Sequence, residues 1–93
     1  MARVYQICIR WDTLPNGEEG LKTIEACLNV AGDWMRFSAW NYLVASKYNP
    51  TQIRDMLKPA LVNDHFLVLE INGIGADGWA APWIWEWIRS RSN

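Results

Sequence analysis

Histidine is almost missing from this chain, with His65 the one example, and cysteine occurs only at Cys8 and Cys27. Neither the lone imidazole nor the two widely spaced thiols has the spacing of a zinc site, and two cysteines are too few for a disulfide framework. Each cysteine falls within an apolar periodic segment, where a free thiol packs as a small hydrophobe. Free thiols suit a reducing cytoplasm. Charge of one sign is missing as well. Nine basic and ten acidic residues leave a formal net charge of −1 and a pI near 5.7. No basic excess draws the chain onto a polyphosphate backbone. No run approaches the ~20 apolar residues of a membrane helix. Gln6, Arg10 and Asp12 interrupt the apolar stretch behind Arg3, so the start does not read as a signal peptide. Repeats, low-complexity tracts and linkers are absent. The run Gly73-Ile74-Gly75-Ala76-Asp77-Gly78 follows a strand pattern but opens no proper helix, so it is not a phosphate loop. Ser46 has no histidine partner in the pattern, which excludes a serine hydrolase.

What the chain does have is apolar side chains and indole. Of its 93 residues, 51% are apolar and 20% charged, the balance of a single globular domain spanning 1–93. A chain of this size buries roughly 60–70% of its unfolded surface, enough for a core without staples. Seven tryptophans is a large number for it, and four of them, Trp79, Trp83, Trp85 and Trp87, lie within 79–93. A small monomer rarely hides that much indole. The segment 79–93 therefore reads as a docking element, with these four residues as an interface.

The periodicities give an order of elements. Val4 to Trp11 alternates, with Tyr5, Ile7, Ile9 and Trp11 on one face and Val4, Gln6, Cys8 and Arg10 on the other, which predicts a strand. Pro15, Asn16 and Gly17 turn the chain. Glu18 and Glu19 suit a helix start, and Leu21, Ile24, Cys27, Leu28 and Ala31 make one helical stripe. Gly32 reads as the stop, free to take the left-handed conformation. Trp34 to Phe37 and Asn41 to Ser46 read as a hairpin connected near Ser38 and Ala39. Asn49-Pro50-Thr51-Gln52 is a helix start with a cap, a proline at the first position and a capping box. Ile53, Met56, Leu57, Ala60 and Leu61 give the second stripe, with Pro59 bending or ending it. Phe66 to Ile71 reads as a strand buried on both faces. Pro82 opens a last helix with Trp83/Trp87 and Ile84/Ile88 pairs, although Trp83, Trp85 and Trp87 also alternate as a strand would. The sum is an α+β domain, a ferredoxin-like β-α-β-β-α-β sandwich with a short tryptophan-rich C-terminal element. Both main helices are expected on one face of an antiparallel sheet.

Polar candidates for chemistry are few. Asp12 follows the first strand and precedes a turn, a common place for a catalytic or metal-binding carboxylate, and equally a place where aspartate simply stabilises the turn. Hard cations such as Mg²⁺ or Mn²⁺ are held by one or two carboxylates and water. One aspartate per chain is a thin metal site unless a two-fold axis supplies a second Asp12. Arg10, Arg36 and Lys47 are the basic residues nearest a strand face and the candidates for phosphate contact.

The strand leading to Asp12, the segments Gly32-Asp33-Trp34-Met35-Arg36-Phe37 and Tyr42-Leu43-Val44-Ala45-Ser46, the helix Gln52-Ile53-Arg54-Asp55-Met56-Leu57-Lys58-Pro59, the strand Asp64-His65-Phe66-Leu67-Val68-Leu69-Glu70-Ile71, and Trp79 with Trp85-Glu86-Trp87-Ile88 together resemble the small bacterial SinR-like proteins of unknown role. More distantly they are similar to the ferredoxin-like CRISPR-associated adaptation proteins and the VapD-type toxins. That resemblance implies a homodimer with an acidic residue near its axis, matched by Asp12, and metal-dependent cleavage of RNA or DNA. Glu18 and Glu19 depart from it by standing where basic residues usually follow.

Two functions emerge. One is a dimeric, nucleic-acid-linked protein with a metal-dependent nuclease site at paired Asp12 residues, using Mg²⁺ or Mn²⁺. The alternative is a non-enzymatic protein-interaction module of a toxin–antitoxin, defence or inhibitor system, binding itself or another protein through its tryptophan-rich tail. Base stacking on an open sheet face ranks last, because Tyr5 and Trp11 share the face assigned to the core.

Overall fold

The computed structural model describes residues 2–10, 17–61, 65–72 and 77–91, the side chains of 17–19 excepted. Its elements are β1 (Arg3–Ile9), α1 (Gly17–Ala31), β2 (Gly32–Ser38), β3 (Asn41–Ser46), α2 (Pro50–Leu57), β4 (Phe66–Ile71) and α3 (Pro82–Arg91). The four strands form one sheet in the order β2-β3-β1-β4, every neighbouring pair antiparallel. The molecule is thus a small α+β domain.

The alternation of β1 decides which side chains meet which helices. Tyr5, Ile7 and Ile9 face α1 and α2, and across the sheet they stand beside Tyr42 and Val44 of β3 and Phe66 and Val68 of β4. The stripes Ile24/Leu28 of α1 and Ile53/Leu57 of α2 close over them, all fully or almost fully buried. Each such aliphatic side chain contributes about 1.5–3 kcal/mol by leaving water. The second face of β1 is not left to solvent. Val4 is buried there, as are Leu43 and Ala45 of β3, because α3 lies across this side and buries its own Ile88. The tail is therefore a helix, as Pro82 predicts, and it docks on the second sheet face of its own chain. The result is three layers: two helices, the sheet, one helix.

Local signals explain the ends. Asn49 Oδ1 accepts from the Gln52 N–H at 2.8 Å and Gln52 Oε1 accepts from the Asn49 N–H at 2.9 Å, so the expected capping box is complete. α2 ends at Leu57, before Pro59. Three sequence expectations are corrected. β1 ends at Ile9, before Arg10, and Trp11 lies outside the described residues. β4 is an edge strand, not one buried on both faces: Leu67 and Leu69 are 58% and 46% exposed. Gly32 is no left-handed stop, for α1 passes into β2 without a loop. A Cβ there would collide with the Ala45 carbonyl oxygen, so glycine is needed for the close approach of β2 to β3.

Candidate functional site

The second face of the sheet carries the most distinctive surface. Its β1 and β3 floor is polar at one end, where Gln6 Nε2 donates to Asn41 Oδ1 at 3.1 Å and Asn41 Nδ2 donates to Ser38 Oγ at 2.9 Å. Elsewhere it is apolar, with Leu43, Ile71 and Phe37 directed to the side on which α3 packs. α3 starts at Pro82, whose fixed φ suits the first helical position. Its far end is tied down by Arg91, whose Nε donates to Asp33 Oδ2 of β2 at 2.7 Å and whose guanidinium lies 4.5 Å from the Trp87 ring centre. Such a partly exposed pair adds little to stability but fixes the direction of the helix.

Between α3 and the sheet remains a cavity of about 290 Å³, lined by Gln6, Phe37, Leu43 and Ile71 from the sheet, Asp77 to Ala80 from the lead-in segment, and Ile84, Trp85 and Ile88 from the helix. The lead-in folds back on Trp85: a Cβ at Gly78 would sit 3.4 Å from the indole Cζ2. Asp77 Oδ1 accepts from the Gly78 N–H at 2.8 Å, which orients the carboxylate.

The four tail tryptophans divide by role. Trp85 and Trp87 are half-buried and help hold the helix to its own chain. Trp79 is fully exposed and Trp83 is 57% exposed. Next to this region β4 shows the exposed Leu67 and Leu69, which no described element covers, and Cys8 is half-buried beside Leu67. Burial pushes the Cys27 thiol, on the other side of the sheet, above its ordinary value.

The expected phosphate contacts are not brought together. Arg36 sits on β2 opposite Tyr42, level with Ile7, and donates through Nη2 to the Ala39 carbonyl at 3.0 Å. Arg10 follows β1 at that same end, where Nη1 donates to His65 Nδ1 at 3.3 Å. Lys47 follows Ser46 at the opposite end of the sheet, beside the start of β1, with its Nζ 5.5 Å from the Tyr48 ring. Five strand steps separate the levels of Tyr42 and Lys47, roughly 16 Å. Asp12, the candidate catalytic and metal-binding carboxylate, lies outside the described residues. Among the described residues no three of histidine, cysteine, aspartate and glutamate converge as metal ligands. No helix among them is long and apolar enough to cross a membrane.

On the helix-covered side the Tyr42 hydroxyl is fully buried, with the Glu25 carboxylate as a neighbour and no hydrogen bond of full geometry to it among the described residues. Burial is the first cause that raises its pKa; Arg36 opposes this and the Glu25 carboxylate adds to it. The cavity under α3 is the feature that sequence reading misses. The spacing Ile84/Ile88 marks an apolar helix face, yet nothing local shows that the helix returns over Gln6 and Leu43. Compared with protein-family models, curated proteins and solved structures, the chain matches none of them.

Proposed function

We propose that this chain is a non-enzymatic interaction module that self-associates through the open β4 edge and the exposed tryptophans ahead of and within α3. The observation that carries the reading is the coincidence of large apolar side chains left in water: Trp79, Trp83, Leu67 and Leu69. β4 ends the sheet, and its sequence FLVLEI contains no lysine or proline to blunt the edge. The occupant is a second copy of the chain. An antiparallel strand pairs with its own copy about a two-fold axis, so one apolar stripe becomes self-complementary. Sedimentation at micromolar concentration tests this. A dimer of 10.8 kDa chains is expected, with Leu69→Lys and Trp83→Ala driving it to monomer. A clean monomer up to about 100 µM would overturn self-association; a partner protein on the same surface would be the reading left. Two free thiols support a reducing, cytoplasmic setting.

We also infer a ferredoxin-like arrangement for the first six elements. Counted from the β4 edge, the order is β4-β1-β3-β2, and α1 and α2 share one sheet face. The third helix on the opposite face is an addition to that plan. The metal-dependent nuclease reading rests on the resemblance to the CRISPR-associated and VapD-type proteins and on the place of Asp12 after the first strand. The scatter of Arg10, Arg36 and Lys47 favours the interaction module over it.

A further inference from the structure

The cavity beneath α3 has a chemical character that the self-association reading leaves unused. We propose that it binds a small organic ammonium ion, its positive end held between the Trp79 and Trp85 indoles and the Asp77 carboxylate. Its volume, about 290 Å³, is that of a compact ligand and sits at the lower limit of small-molecule pockets. Its walls are aliphatic and aromatic, the composition that takes up methyl and methylene groups. Among the described residues lining it one is charged, and that is an acid, Asp77, with no lysine, arginine or histidine beside it. At the floor, Gln6 turns its amide nitrogen to Asn41. An anion entering here meets a carboxylate and the negative faces of indole rings. A cation meets favourable partners on both counts, since the ring quadrupole attracts positive charge, most strongly in tryptophan.

Trp79 is the second observation. Trp79 is as exposed as an isolated tryptophan, yet it is among the residues that line the cavity. Core packing does not account for an indole in that position. A ligand seated in the cavity would cover it, and the backbone hydrogen bond from Gly78 to Asp77 holds the acid beside it. Methylated ammonium groups suit this combination because they are cationic but weakly hydrated, so they lose little on leaving water.

This inference goes beyond self-association and shares Trp79 with it, while Leu67, Leu69 and Trp83 are not among the lining residues and Asp77 and Trp85 belong to the cavity alone. The test uses the whole chain and a pair of soluble probes of one shape. Choline and its neutral isostere 3,3-dimethylbutan-1-ol are titrated while the indole N–H resonances are followed, with the larger benzyltrimethylammonium as a third probe. The expected result is saturable shifts at Trp79 and Trp85, with the ammonium probes binding roughly tenfold tighter than the neutral one. Asp77→Asn should remove most of that preference while leaving binding of the neutral probe unchanged. Trp79→Ala should weaken the ammonium probes. Both residues are exposed, so both variants should fold, as circular dichroism would verify. Trp83→Ala should disturb assembly but not binding. Equal affinity for choline and its isostere, an Asp77→Asn variant that keeps the preference, or no saturable shift with either ammonium probe would each overturn the proposal.

Discussion

Replacing Ser46 by alanine should cost this protein far more than the loss of one small polar group suggests. Ser46 is a buried polar residue, only 2% exposed, and its hydroxyl serves two backbone groups. It donates to the Ala31 carbonyl at 2.7 Å and accepts from the Tyr48 N–H at 3.1 Å. Ala31 is the last residue of α1, so its carbonyl is one of those a helix end leaves without an internal partner. Alanine fills the same space without either bond. A buried donor or acceptor left unpaired costs about 1–3 kcal/mol, and Tyr48 is only half-buried, so its amide recovers part through water. The two losses together come to about 2–4 kcal/mol. For a domain of this length each kcal/mol moves the melting temperature by roughly 4–8 °C, which predicts a drop of about 8–32 °C. Thermal unfolding followed by circular dichroism measures it, with Ser38→Ala as the control: Ser38 is exposed and should cost little. Hydrogen exchange gives the site-specific reading, since the Tyr48 amide should lose protection in Ser46→Ala. A loss under about 0.5 kcal/mol, or an unchanged Tyr48 exchange rate, would refute the reasoning.

Gly32→Ala forces a methyl group against the Ala45 carbonyl and should destabilise by about 1–3 kcal/mol or more in urea unfolding, whereas a left-handed cap would have predicted a distorted helix end alone. Asn49→Ala breaks the capping box and should cost about 1 kcal/mol, with α2 fraying first in hydrogen exchange. Tyr42→Phe removes a buried hydroxyl that has no hydrogen bond of full geometry among the described residues, only the nearby Glu25 carboxylate, and should be close to neutral at pH 7. Because burial holds the Tyr42 phenol above its ordinary value of 10.0, the associated stability is full below pH 10 and falls as pH rises toward the folded-state pKa; Tyr42→Phe should lose less stability than wild type over that alkaline window. Cleavage of labelled RNA and DNA with Mn²⁺ tests the nuclease reading: a real site loses activity in Asp12→Asn, and equal activity in both proteins points to a contaminant.

The parts of the fold that were readable in the sequence are those written in short-range signals. Alternation in β1, the stripe through Ile24 and Leu28, the Asn49 box and Pro82 each act within a few residues, and each element is present. The failures come from long-range packing. The run Phe66-Leu67-Val68-Leu69 is apolar at consecutive positions, which normally means cover on both faces, but only the sheet's final position can show that Leu67 and Leu69 are uncovered. Gly32 looks like a stop because helices often end on glycine; its crowding against Ala45 exists only once β2 lies beside β3. The cavity is of the same kind. Trp79 and Trp85 stand near Asp77 in sequence, but Gln6, Phe37 and Leu43 reach them only through the fold.

The direct passage from Ala31 to Gly32 has a consequence for how this chain can vary in length. Most junctions have slack, and an added residue disappears into a loop. Here the rotational phase of α1 sets which side chains of β2 look toward which layer. An inserted residue at this point would either unwind the last helical turn or advance β2 by one step. That step would exchange its two faces, taking Trp34 from its edge contact with Tyr42 and Asp33 from Arg91. The junction acts as a gear with a fixed tooth. Substitutions on either side can be tolerated one at a time, but insertions and deletions there should be rejected, and a library scanned by single-residue insertion would mark it as a sharp minimum within an otherwise permissive surface.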